Sequence, residues 1–109
     1  HIDIIKKFRI YPESNQDQLF DDTLKIIKDH NLVVELNTGG MDRPYAEFTP
    51  GPRLLEMCHH HHIPVTLSSD AHRAEQIARH YDSAVALLSH IGYTEIVGFN
   101  KRTRRIIRL

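Results

Sequence analysis

Two short apolar runs, "LVVELN" at 32–37 and "VTLSS" at 65–69, are separated by a stretch whose apolar residues recur at helical spacing. That alternation limits the fold more than any other feature, because strands joined through helices imply βαβ units and a parallel sheet. The chain reads the same way on either side. "HIDII" at 1–5 is a further strand candidate, and "YPESNQDQ" then supplies turn residues and a helix start, with Ser14 or Asn15 as N-cap. The helix predicted from Leu19 to Asp29 carries Leu19, Phe20, Thr23, Leu24 and Ile27 on one face. After the loop "GGMDRPYAEFTPGP", Pro52 fits the first turn of a second helix in which Leu54, Leu55 and Cys58 share a face. A third helix is predicted over Ala74–Ser89, with Ile77, Tyr81, Val85 and Leu88 in line and Gly92 marking its end. "EIVGF" at 95–99 and "RRIIRL" at 104–109 are the last strand candidates. The prediction is an α/β fold of parallel strands alternating with helices, one domain over residues 1–109.

Alternate residues of a strand point to opposite faces, so the polar positions carry a second message. His1 and Asp3 share one face against Ile2 and Ile4. Glu35 and Asn37 share a face against Leu32, Val34 and Leu36, and Thr66, Ser68 and Asp70 share one against Val65 and Leu67. Each strand thus has an apolar face suited to covering helices and a face growing polar toward its C-terminal end. A doubly wound sheet is apolar on both faces. The pattern therefore suits a (β/α) barrel with a polar pocket at the strand C-termini better than an open sheet.

Asp70 and His72 close the third of these strands, two residues apart, where both can aim toward one pocket. A carboxylate oxygen and an imidazole nitrogen are suitable ligands for Zn, Mn or Fe. An N-cap aspartate followed by a surface histidine is the competing reading of the same residues. His1 adds another imidazole on an inward face, and Glu35 is either a further ligand or a satisfied buried carboxylate.

The ordered segments "HIDIIKKF", "VELNTGGMDRP", "HIPVTLSSDAHRAEQ" and "AVALLSHIGYTEIVGF" resemble the histidinol-phosphate phosphatases of the PHP (polymerase and histidinol phosphatase) family, over nearly the whole chain. The resemblance implies the C-terminal portion of a distorted (β/α)7 barrel with a cluster of divalent metal ions at its strand ends. It implies metal-dependent hydrolysis of a phosphomonoester, histidinol phosphate to histidinol plus phosphate, within histidine biosynthesis. His1, Asp70 and His72 match metal ligands, and Asp70 and His72 belong to the catalytic motif. Arg43 matches a basic position assigned to the substrate phosphate, with Asn37 and Arg73 as neighbours; a guanidinium suits that task through its paired donors. A solvated loop arginine is the alternative for Arg43.

The sequence departs from the family where its opening His-x-His motif and the metal ligands of the first half would stand. The multinuclear site is thus expected to be incomplete, the isolated chain to be inactive, and the chain to be a piece of a longer enzyme. A PHP-type phosphoesterase acting on nucleotides and a non-catalytic barrel module are the alternative functions. A half-barrel leaves sheet edges uncovered, so self-association is expected.

Composition narrows the partners. Lys plus Arg and Asp plus Glu are 14 each, so net charge argues for neither nucleic acid nor a membrane surface; the small phosphorylated substrate is what the resemblance implies. The basic cluster Lys101, Arg102, Arg104, Arg105 and Arg108 alternates with apolar residues as a solvated strand edge does. One cysteine excludes an internal disulfide and is compatible with a cytoplasmic location. "CHHHH" at 58–62 cannot be a single metal box on a helix, because consecutive residues spread around the helix circumference. Cys58 is expected to pack, His59 and His60 to be solvated, and His62 to be partly packed.

Overall fold

The computed structural model describes residues 1–11 and 14–109. Three helices, α1 (Asp17–Asp29), α2 (Pro52–His60) and α3 (Tyr81–Ile91), accompany four strands: β1 (Val34–Asn37), β2 (Val65–Ser68), β3 (Glu95–Asn100) and β4 (Thr103–Arg108). The fold is mixed α/β. β1 and β2 form the parallel pair that the strand–helix–strand order predicts, in the register Val34↔Val65 to Asn37↔Ser68.

One core serves all three helices. Leu24 of α1, Leu55 and Cys58 of α2 and Leu88 of α3 are fully buried together with Leu36 and Val65 of the sheet and Ile63 before it. Fully burying a side chain of this size contributes about 1.5–3 kcal/mol, which is how an α2 of 9 residues is held in place. Pro52 sits in the first turn of α2 as its fixed φ favours, and the Gly51 N–H preceding it donates to Asp3 Oδ2 at 2.7 Å. At α1 the Asp17 N–H donates to Asn15 Oδ1 at 2.8 Å, although the residue flanking the helix is Gln16. Part of the turn expected over "YPESNQDQ", at Pro12 and Glu13, lies outside the described residues.

Three expectations are corrected. The "HIDII" run is a turn leading into a 3-10 helix over Ile4–Phe8, not a strand. Its path is set by a buried cation. Lys6, 6% exposed, places its ammonium against Asp3 Oδ2 at 2.8 Å, Glu47 Oε2 at 2.7 Å and the Phe48 carbonyl, and the contact three residues back needs a helical spacing. The helix predicted over Ala74–Ser89 is broken into a 3-10 turn, Ala74–Gln76, and α3, because Ala78 and His80 both take left-handed backbone at φ 58. Ile77 is consequently exposed rather than in line with Leu88. Gly92 ends α3 as expected, at φ 116.

The last two strands depart from parallel alternation. β3 and β4 form an antiparallel hairpin, Glu95↔Arg108 to Asn100↔Thr103, turned by Lys101 and Arg102 at φ 48 and 69. β3 packs beside β2 without a shared ladder, and every residue of β4 is exposed.

Candidate functional site

The C-terminal ends of β1 and β2 each lead into a loop, and the candidate residues lie on these two loops. After β1 the Asn37 side chain turns back on its own backbone. Its Oδ1 accepts the Gly39 N–H at 2.9 Å, opening a 3-10 turn over Thr38–Asp42 that ends at Arg43. The Asn37 Nδ2 group lies 3.2 Å from Glu35 Oε1 and 3.4 Å from His1 Nε2. Its backbone N–H and carbonyl bridge to Thr49. Asn37 is therefore buried and saturated by the fold. Gly40 is required beside it: a methyl there would meet the Glu47 carbonyl oxygen at 2.2 Å.

After β2, Asp70 takes left-handed backbone at φ 49, a conformation aspartate tolerates better than most residues. The exposed His72 ring sets its Nδ1 2.8 Å from the Asp70 carbonyl oxygen, which directs the proton to Nδ1 and leaves Nε2 open as an acceptor. That is the tautomer and hydrogen bond a metal-ligating imidazole uses, so the donor chemistry of His72 fits a divalent ion.

These residues divide between two adjoining hollows. His1, Asn37, Arg43 and Asp70 line a small cavity of about 60 Å³. His72 lines its neighbour of about 410 Å³, with Asp42, Arg43, Arg73, Gln76 and Arg79. Arg43 belongs to both. The structure thus brings His1 and Asp70 to one hollow, and His72 and Arg73 to the other, with Arg43 lining both. Among the described residues no three His, Cys, Asp or Glu side chains form a group able to hold a metal ion. Glu35 is exposed and hydrogen-bonded to Asn37, so it is not a buried carboxylate.

The larger cavity is cationic. Three arginines face one carboxylate, and that carboxylate, Asp42, is already engaged by Arg79 Nη1 at 2.8 Å and His80 Nε2 at 2.6 Å. The His80 hydrogen bond, with the His80 and Arg79 charges behind it, holds the Asp42 carboxyl below the usual carboxylate range. Arg43 and Arg73 form no ion pair among the described residues. Asp42, Arg79 and His80 escaped sequence reasoning. Asp42 lies far from Arg79 and His80 in the chain, and no spacing rule marks a loop carboxylate that meets a residue 38 positions on.

The histidine run behaves as four separate residues. Cys58 is buried, and that burial pushes its thiol up to about 12, leaving it inert. His59 stacks edge-on against Tyr93 at 4.8 Å instead of facing solvent. His60 is exposed, and His61 pairs with Asp21 of α1 at 2.6 Å. His62, expected to be partly packed, is exposed.

No family model matches the chain. Over 93 residues it is 29% identical to a probable histidinol-phosphatase of Deinococcus radiodurans. That alignment takes in 84% of this chain and 35% of the relative, so the chain spans about a third of the length of the protein it resembles. Among the described residues no helix is long and apolar enough to cross a membrane.

Proposed function

We propose that this chain is the C-terminal part of a PHP-type barrel enzyme that hydrolyses a phosphomonoester, with histidinol phosphate as substrate. The observation that carries the reading is Arg43, which lines the cationic cavity and also the hollow holding His1 and Asp70. The similarity to a probable histidinol-phosphatase supports the same chemistry.

Arg43 and Arg73 supply two free guanidinium charges, which balance a phosphomonoester dianion through charge-assisted hydrogen bonds. Asp70, His1 and His72 are the proposed metal ligands. His72 offers Nε2, and the Asn37 amide steadies the ring of His1. With the missing ligands supplied, Asp70 and His72 would hold one divalent ion, Zn, Mn or Fe, and His1 another, and such ions would supply activated water and polarisation of the phosphoryl oxygens. The remaining ligands are proposed to come from sequence corresponding to the part of the relative that this chain does not span. Ligand imidazoles must be neutral, so activity falls in acid.

The test is made on the longer protein that contains this chain. Asp70→Ala is expected to abolish metal-dependent phosphatase activity and lower bound metal measured by elemental analysis. Unchanged metal content and turnover in that variant would remove Asp70 from the site. Faster turnover of nucleoside monophosphates than of histidinol phosphate would reassign the substrate, and protein purified inactive with no metal uptake would make this a non-catalytic module.

A further inference from the structure

Asp42 is an unexpected resident of an anion cavity. A carboxylate beside Arg43, Arg73 and Arg79 lowers the local positive potential and, by charge alone, weakens phosphate binding. Its contacts show what it does instead. Both of its oxygens are used: Oδ2 receives Arg79 Nη1 at 2.8 Å, and Oδ1 meets His80 Nε2 at 2.6 Å. Arg79 is itself fixed from the other side. Its Nε donates to the Ser69 carbonyl at 3.1 Å, its own carbonyl accepts the Thr38 hydroxyl at 2.7 Å, and its side chain is 14% exposed. The neighbouring Ala78 N–H donates to Ser69 Oγ at 3.2 Å.

Two further observations point the same way. Ala78 and His80, flanking Arg79, both adopt left-handed backbone at φ 58, which costs about 1–2 kcal/mol per non-glycine residue. Surrounding contacts must sustain such a conformation. A methyl at Gly39 would lie 2.6 Å from Arg79 Nη2, so glycine there leaves the guanidinium its space. The result is a clasp joining the loop after β1 to the loop after β2. Asp42 directly precedes Arg43, whose N–H donates to the Gly40 carbonyl at 3.0 Å, so pinning Asp42 fixes where the Arg43 side chain starts.

We propose that Asp42, Arg79 and His80 are positioning residues: they lock the two loops together and so hold Arg43 opposite His72 and Arg73, in the geometry that takes a phosphate group. This rests on the phosphate reading of the cavity given above. None of the three is required to touch the reacting atoms.

The sign of the effect separates positioning from plain electrostatics. Inorganic phosphate is titrated calorimetrically into the longer protein proposed above to contain this chain, and into its variants. Wild-type protein is expected to bind saturably and Arg43→Ala to lose binding. Asp42→Asn is expected to weaken binding by about tenfold, the lower end of what displaced supporting groups cost a site, even though it removes an opposing charge. His80→Ala is expected to weaken it similarly, and His80→Gln, which retains a side-chain N–H donor, to recover part of the loss. Unchanged or tighter binding in Asp42→Asn and His80→Ala, with Arg43→Ala still defective, overturns the clasp and leaves the phosphate reading standing. Absence of saturable binding in wild-type protein overturns the phosphate reading and the clasp with it.

Discussion

Two of the ionic clasps among the described residues differ in what surrounds them. At Lys6 the ammonium is 8% exposed between Asp3, Glu47 and the Phe48 carbonyl, joining the N-terminal segment to the loop ahead of α2. At Asp42 the carboxylate is 46% exposed between Arg79 and His80, joining the loops that follow β1 and β2. The Lys6–Asp3 contact is shielded from solvent, whereas Glu47 at 43% and Asp42 at 46% exposed are both screened. A buried cation stripped of its partners, or carboxylates stripped of their cation, is left with a desolvation cost that nothing offsets. Burial therefore makes the Lys6 clasp a stability element, whereas the wet Asp42 clasp fixes where loops lie at little consequence for folding.

Four substitutions or conditions sharpen or break that contrast. Lys6→Ala is expected to cost about 3–5 kcal/mol in chemical denaturation, because Asp3 and the Phe48 carbonyl lose a buried donor. A loss near zero would make the two clasps equivalent. Gly40→Ala comes next, at about 2–3 kcal/mol, since the new methyl is driven toward the Glu47 carbonyl and the Lys6 side of the structure must shift. Asp42→Asn is expected to move the denaturation midpoint far less than either, while the phosphate binding proposed above should still weaken about tenfold in it. A midpoint shift matching that of Lys6→Ala would place Asp42 in the stabilising class.

The smallest effect is a pH dependence. Because the folded Asp42 pKa is depressed, its contribution is complete above the ordinary carboxylate pKa of about 4 and drains away as pH falls from there through the lowered folded value. Stability measured down that range should fall less in Asp42→Asn than in wild type. Parallel profiles would show that the clasp contributes nothing to folding.

Much of the fold was legible because local chemistry and packing agree. Leu24, Leu55 and Leu88 mark the buried faces of three helices, Pro52 opens α2, Gly92 closes α3, and the Val34 and Val65 runs pair as parallel strands. Two of the failures share one cause, which is that a distant partner decided a local conformation. "HIDII" alternates like a strand, yet Asp3 and Lys6 close on each other and on Glu47. The 74–80 segment has helical periodicity, yet Arg79 and His80 are drawn to Asp42. The hairpin turn at Lys101 and Arg102 has no glycine to announce its positive φ values. At the candidate site, the resemblance singled out Arg43, Asp70 and His72 as expected site residues. Their partition between two hollows depends on where each loop is anchored, which no motif records.

Asp70 occupies backbone at φ 49 that glycine adopts without penalty. Evolution has a cheaper residue available for that turn, and Asp70→Gly should leave the protein more resistant to denaturation as it discards the carboxylate. A directed-evolution experiment selecting for thermal robustness alone should drift toward glycine there. If Asp70 is the metal ligand proposed above, one selecting for turnover of the longer enzyme should hold aspartate against that drift, so the two regimes would write different letters at the same place in the chain.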